Sequence, residues 1–179
     1  MARECLDSLS NYINWLRIDL IALRQYALVN ICLSWLTSRS EQLGKQAARC
    51  LAGLAGRKGG EAGERRPLLG LFGEHVLYQL CQAIKYSMLS EQRELARYLV
   101  EVLVGMGHQL NYLWTEKTFA DKPATLGIYL NAVYELLFVV ENRLYSHEAV
   151  QILNLLAQNE MARADPPDLL ITTLVMREL

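Results

Sequence analysis

The residue types that carry out chemistry in proteins are present, but their spacing does not form a metal site. His147 and Glu148 begin like the helix of a zinc protease, yet Gln151 stands where the second histidine would have to lie. His75 and Cys81 are six residues apart, which is about 240° around a helix, so they cannot ligate one ion by themselves. The sequence therefore predicts no metal site.

Catalytic and cofactor motifs are also missing. Glu94 and Glu101 lie three and four residues from Arg97, which is the spacing of ion pairs along one helix. A general acid and base would instead need two carboxyl groups in one pocket with different environments. No phosphate-binding glycine motif follows a strand. We predict no catalytic residue and no cofactor, and keep an enzyme with a helical pocket as an alternative.

Residues 57–66, RKGGEAGERR, form a charged segment with three glycines and no aliphatic side chain larger than alanine. Such a segment cannot bury enough apolar surface to order itself, so a flexible loop is predicted here. If the segment is only a solvated linker, it has no binding function of its own. As a docking segment it would bind an acidic partner through its four cations: Arg57, Lys58, Arg65 and Arg66.

Asn, Tyr and Trp recur within one turn at two places, NYINW at 11–15 and NYLW at 111–114. Either the rings belong to the core, or they form a partner surface, since Trp and Tyr supply large contact area at low entropic cost. The second interpretation names Trp15, Tyr112 and Trp114 as protein-binding residues.

The charge is unevenly distributed along the chain. Residues 1–66 carry ten Lys or Arg against six Asp or Glu, whereas residues 67–179 carry eight against thirteen. The basic third lacks the dense cluster on one element that gripping nucleic acid requires. A helical nucleic-acid-binding subunit that uses this third is therefore the less favoured alternative, though not an excluded one.

Cysteine usage and the amino-terminal sequence predict the compartment. The four cysteines, at positions 5, 32, 50 and 81, form no CxxC pair and are expected to be reduced, buried thiols. The first residues, MARECLDSLSN, fit neither a secretory signal nor a transit peptide. The longest stretches without a charged residue have 14 residues, too short for a membrane span. We expect a cytoplasmic or nuclear protein.

Helical periodicity runs through the whole chain, and 52% hydrophobic residues can fill a continuous core. The centre is 90–107, SEQRELARYLVEVLVGMG, with Leu95, Leu99, Val102 and Met106 on one face and a stop at Gly105 and Gly107. Around it the sequence predicts two helices in 3–37 with a break near 17–19, then helices at 40–56, 67–87, 121–142, 146–164 and 166–179, with a short aromatic piece at 108–118.

A faint repeat links three of these segments. ARCL at 48–51 aligns with ARYL at 96–99, and Leu153, Leu156 and Ala157 continue the spacing. QAARCLAGLAG and SEQRELARYLVEVLVGMG thus resemble the third helix of armadillo or HEAT-type repeats, over at most residues 18–162. The resemblance implies a right-handed stack of helices that binds partners along a groove. The regular Asn and Trp ladder of peptide-binding armadillo proteins is missing.

These observations predict one all-α domain over 1–179, with eight to nine antiparallel helices stacked as a short α-solenoid. The alternative is an irregular helical bundle. The function that fits best is a non-catalytic scaffold or adaptor subunit of a larger complex, which binds other proteins and spans no membrane.

The last stretch, DLLITTLVMREL at 168–179, has apolar residues on several sides and only a few charges. One neighbouring helix can bury only part of that area, so a partner protein, a second copy of the chain or further sequence should cover the rest. The residues expected at this contact are Ile171, Leu174 and Val175.

We therefore predict that Leu174→Glu and Ile171→Glu abolish partner binding or self-association while leaving most of the helical circular dichroism intact. A chain that sediments as a monomer at all concentrations would contradict the prediction of an apolar docking end.

Overall fold

The computed structural model describes residues 2–13, 15–38, 40–58, 60–117, 124–136 and 143–159. In these ranges the chain forms eight α-helices and no strand. The helices are α1 (Ala2–Tyr12), α2 (Ile18–Leu36), α3 (Glu41–Ala55), α4 (Ala62–Arg65), α5 (Glu74–Leu89), α6 (Arg93–Thr115), α7 (Leu126–Glu135) and α8 (Arg143–Gln158). A 3-10 helix, Arg66–Phe72, joins α4 to α5.

The helices α1, α3, α6 and α8 lie side by side in one row. Lys45 near the start of α3 pairs with Glu94 near the start of α6, and Ala55 at the end of α3 contacts Gly105 further along α6. These two helices therefore run in the same direction. The segments that carry the faint sequence repeat lie on α3, α6 and α8, so the repeat marks equivalent helices of the row.

The outer members of the row keep this direction. Asp7 and Arg49 approach to 4.0 Å between α1 and α3, and a Cβ on Gly53 would lie 2.8 Å from Ile13 near the end of α1. On the other side, the Tyr145 hydroxyl near the start of α8 donates to a carbonyl at the start of α6, 3.2 Å away. Side chains also join the ends of α8 and α6.

A second row covers one face of the first. It consists of α2, α5 and α7, which contact one another in that order and connect successive helices of the first row. The turn from α2 into α3 is tight, because a Cβ on Gly44 would lie 2.9 Å from the Leu36 carbonyl oxygen. Two stacked rows of helices make this an all-α, solenoid-like fold, as the sequence predicted.

The central position of α6 is confirmed. Leu99, Val102 and Met106 have no exposed surface, and Leu95 has almost none. Because α6 contacts α3, α5 and α8, the apolar side chains on most of its circumference pack against a neighbouring helix.

The predicted stop at Gly105 and Gly107 is wrong, because α6 continues to Thr115. Both glycines allow other segments of the chain to pack closely against α6. A Cβ on Gly105 would lie 2.8 Å from the Ala55 carbonyl carbon and 2.9 Å from the Gly56 nitrogen. A Cβ on Gly107 would clash with Ile152 of α8 and lie 2.5 Å from the hydroxyl of Tyr129. Residues 108–115 of the expected separate aromatic piece are therefore the last part of α6.

Three large aliphatic side chains of α2 point outward. Leu20, Leu23 and Ile31 are 44%, 58% and 53% exposed, and the buried face of α2 carries other residues: Ile18, Ile21, Val29, Cys32, Leu33 and Leu36. Helical geometry is interrupted at 23–26, so one continuous period does not apply across α2. At the end of that break, Tyr26 donates to the Pro67 carbonyl oxygen at 2.8 Å and packs on Gly70.

Other predicted boundaries shift by a few residues. The break between the first two helices falls at 13–17, and the helix expected from Pro67 starts as a 3-10 helix before α5. Ser40, where the third helix was expected to begin, directly precedes α3, whereas Ser146, where the helix at 146–164 was expected to begin, lies inside α8. The start of the helix expected at 121–142, its end, and the helix at 166–179 lie outside the described residues.

The segment 57–66 is not without regular structure. Glu61 and Glu64 form a reciprocal capping box at the start of α4, and Arg57 is hydrogen-bonded to the end of the first helix. The expectation that charge and glycine content prevent local order is thus wrong for this part. Mobility of the segment stays a prediction.

We predict that Gly105→Ala destabilises the protein by about 1–3 kcal/mol, because the new methyl group meets backbone atoms that cannot rotate away. The matched control is Gly127→Ala in α7, where a Cβ meets nothing within 4 Å. Since alanine favours helices, that change should be neutral or stabilise by up to about 1 kcal/mol. Urea unfolding compares them, and equal effects of the two changes would refute tight packing at Gly105.

Candidate functional site

A groove of 710 Å³ runs along the face of α6 that the second row of helices leaves uncovered. The end of α3 and the short helix α4 form one wall, and α8 forms the other. The floor is an alternation of small, apolar and polar side chains on α6, among them Val100, Val104, His108 and Thr115. The groove lies on the row of equivalent helices, where a solenoid presents an extended surface to a partner.

The floor is tied to the first wall by Gln109. Its amide nitrogen donates to the carbonyl oxygens of Ala55 at 3.0 Å and Arg57 at 2.6 Å. The Ala55 carbonyl is one of the acceptors that the end of α3 leaves without helical partners, and Arg57 lies two residues beyond it. The side chain is only 4% exposed. Its Oε1 is buried without a hydrogen-bond partner, which is an uncommon state for a buried acceptor.

Arg57 extends this wall towards the amino-terminal helix. Its guanidinium donates to the carbonyl oxygen of Ile13 at 3.2 Å and to that of Leu16. Partial burial lowers the pKa of Arg57 below its usual value, but an arginine remains charged at physiological pH. Arg57 therefore holds the chain after α1 against the end of α3, a structural role that the docking hypothesis did not include.

The other three predicted docking cations are placed differently. Arg65 lies 4.1 Å from the centre of the Tyr112 ring, a cation–π contact that joins α4 to α6. Lys58 is exposed at the rim of the groove. Arg66 is exposed but is not among the groove residues. Three of the four cations thus lie at the groove: Arg57, Lys58 and Arg65.

The floor and the second wall add charges of both signs. Arg97 lies 4.6 Å from the Tyr98 ring and approaches Glu101 to 4.0 Å, while Glu148 stands on the α8 wall. The predicted pair with Glu94 is not seen, because that carboxylate pairs with Lys45 of α3. The groove therefore has a cationic wall at α3 and α4 and an acidic residue on the facing wall.

The far end of the groove is polar. Asn159, which follows α8, donates through Nδ2 to Asn111 Oδ1 at 2.8 Å and to Thr115 Oγ1 at 3.3 Å. This contact holds the end of α8 beside the end of α6, so the two walls are fixed at both ends of the groove.

The aromatic hypothesis divides between two locations. Trp114 is 2% exposed and belongs to the core, so its assignment to a partner surface is wrong. Tyr112 is half-buried in the groove floor. Trp15 is 85% exposed and borders a second cavity of 470 Å³, which includes Arg57 and Lys58. Ile171, Leu174 and Val175 lie outside the described residues.

The histidines and cysteines do not converge. No group of three or more metal-binding side chains occurs in the described residues. Nε2 of His147 lies 3.4 Å from Nε2 of Gln151, which is the residue that departs from the zinc-protease pattern. Cys5 is exposed and Cys81 is partly exposed, contrary to the prediction of four buried thiols.

Two buried thiols interact with each other. A hydrogen bond between Cys32 of α2 and Cys50 of α3 raises the pKa of Cys32 and lowers that of Cys50. Cys50 accepts in that contact and donates its own thiol proton to the Leu6 carbonyl oxygen at 3.3 Å. These contacts join three helices of the core and lie away from the groove.

Sequence reasoning missed Gln109, Arg97 and Tyr145 as groove residues. Gln109 carried a usable signal, since a glutamine between apolar residues on a helix destined for the core needs partners there. No pattern in the sequence marks the α8 wall, because it depends on which helix packs beside α6.

The comparisons with known proteins come to one finding. No protein-family profile matches the chain. Human Exportin-5 is similar, with 28% identity over 131 residues that cover 71% of this chain. The chain spans 11% of the length of Exportin-5. This similarity and the two stacked rows of helices fit the helical-repeat resemblance at the level of a superfamily. Among the described helices, none is long and apolar enough to cross a membrane.

We predict that Arg57→Ala lowers the free energy of unfolding by about 1–3 kcal/mol, the usual cost of removing charge-assisted hydrogen bonds. Lys58, the neighbouring exposed residue, provides the control, because Lys58→Ala should change the free energy of unfolding by less than about 0.5 kcal/mol. Urea denaturation measures both. If Arg57→Ala is as mild as the control, Arg57 does not hold the chain after α1 against the end of α3.

Proposed function

We propose that this chain is a non-catalytic helical-repeat segment that binds a partner protein through the groove on α6. The observation that carries the proposal is the groove itself, 710 Å³ on the uncovered face of the row of equivalent helices. Repeat proteins of this architecture use such surfaces to hold extended partners. The groove is lined by mixed charges, aromatic rings and apolar side chains, as protein interfaces are.

The similarity to Exportin-5 supports the setting in which the segment works. That protein is named as an exporter, and the present chain is similar to 11% of it. By analogy with that name, the chain would act as a scaffold or adaptor in a transport complex of the cytoplasm or nucleus. A cargo, a transport factor or another subunit of the complex would then lie in the groove.

A nucleic-acid-binding subunit is the second candidate. The first wall contributes Arg57, Lys58 and Arg65, and phosphate groups bind such side chains. Glu101 and Glu148 oppose this reading, because both carboxylates line the same groove and would repel a continuous phosphate backbone. The protein partner is therefore favoured.

Site-specific photocrosslinking in cells tests the proposal. A benzophenone amino acid replaces His108, which is exposed in the groove, and in a matched control replaces Tyr78, which is 59% exposed on α5 outside the groove. We expect a discrete crosslinked protein from position 108 that position 78 does not give.

The contrary results are equally clear. Identical crosslinks from both positions, or none from position 108, would refute a groove that binds a protein. A crosslinked species from position 108 that nuclease removes would instead favour the nucleic-acid candidate.

A further inference from the structure

The charges of the groove indicate which kind of partner segment it holds. Three cations stand on the wall formed by α3 and α4, and the residues of that wall that line the groove include no carboxylate. Arg97 extends the cationic strip onto the floor. Glu148 faces this strip from α8. Glu101 lies beside Arg97 on the floor. An occupant therefore meets positive charge along one side, an Arg–Glu pair on the floor and negative charge at one point of the other side.

The dimensions favour an extended chain over a compact ligand. The lining residues of α6 run from Arg97 to Thr115, which is about 27 Å of helix at 1.5 Å per residue. An extended peptide covers that length with about eight residues at 3.3 Å each. Side chains of such a peptide point alternately to opposite sides, so one set can face the cationic wall and the other can face α8.

Gln109 holds the cationic wall against the floor of the groove. Its side-chain nitrogen donates to the carbonyl oxygens of Ala55 and Arg57, and the residue lines the groove. An occupant therefore meets a wall that is already fixed against α6.

We propose that the groove binds an acidic, extended peptide segment of the partner protein, with its carboxylates towards Lys58, Arg65 and Arg97. This inference rests on the proposed function and specifies the partner. A nucleic acid is disfavoured for the reason already given, since its charge has one sign throughout whereas a peptide can present a neutral or basic residue to Glu148.

Titration of the full chain followed by two-dimensional amide NMR tests the proposal. The probe is a peptide of about ten residues in which Glu alternates with Ser. The comparison probes are a peptide of the same length in which Lys alternates with Ser, called the Lys–Ser peptide, and an oligouridine with the same negative charge as the acidic peptide. We expect the acidic peptide to shift the backbone amides of Lys58, Glu101 and Thr115 and the side-chain amide of Gln109. The Lys–Ser peptide should shift none of them.

Charge reversal identifies the side chains responsible. The double variant Lys58→Glu with Arg97→Glu should weaken binding of the acidic peptide at least tenfold. The matched control, Arg3→Glu with Lys85→Glu, makes the same change at two exposed cations outside the groove and should weaken it less than twofold. The circular dichroism spectra of both variants are compared with that of the parent, and a third variant with Lys58→Glu alone serves if the double variant fails to fold.

Three results would overturn the proposal: no shifts with the acidic peptide, equal losses in groove and control variants, or shifts at the same amides with oligouridine but not with the peptide. These results are distinct from a failure of the proposed function. If photocrosslinking from position 108 captures a protein while the acidic peptide does not bind, the groove holds a protein segment of another chemistry.

Discussion

The close approach of α6 to the end of α3 is the contact on which the rest of the structure depends. At Gly105 no side chain separates the two backbones. One turn later, the side-chain amide of Gln109 caps the end of α3 by donating to the Ala55 carbonyl oxygen. Helix ends leave carbonyl groups without partners, and a buried end needs them satisfied. One small residue and one amide thus fix both the distance between α3 and α6 and the level at which they meet.

The position of the groove follows from that contact. Because α3 ends where α6 continues, the chain after Ala55 turns across the flank of α6 and carries its cations to one side of it. The helix α8 packs on the other flank, held near its start by Tyr145 and at its end by Asn159. The space between these two flanks is the groove. Its shape is therefore a property of the stacked helices, and its charge is a property of the 57–66 segment.

Sequence reasoning could predict the layout of the fold because apolar periodicity reports buried faces directly. Leu95, Leu99 and Val102 are buried as expected, and the faint repeat marks helices that do lie in one row. It could not predict the role of Gly105, since glycine is typical both of helix ends and of tight helix packing. Only the neighbouring backbone decides between these two roles.

The site was harder to predict because a groove is made by neighbours that are far apart in sequence. Arg57 looked like a free cation of a charged loop, but carbonyl groups 41 and 44 residues away bind it. Trp114 looked like a partner of Tyr112, yet the two side chains differ in burial, one being in the core and the other at the groove. Side chains two positions apart on a helix point in different directions, so residues of one short motif need not lie on the same surface.

Native-state hydrogen exchange tests most directly the claim that the fold is built on the contact of α3 with α6. The account predicts that the amides of 47–55 and 97–110 exchange slowest and lose protection together, as one cooperative unit. The amides of α1 and α7 should open earlier, because each lies beside the unit rather than within it. Exchange from 97–110 that is as fast as exchange from α1, or protection of α6 that is lost independently of α3, would contradict it.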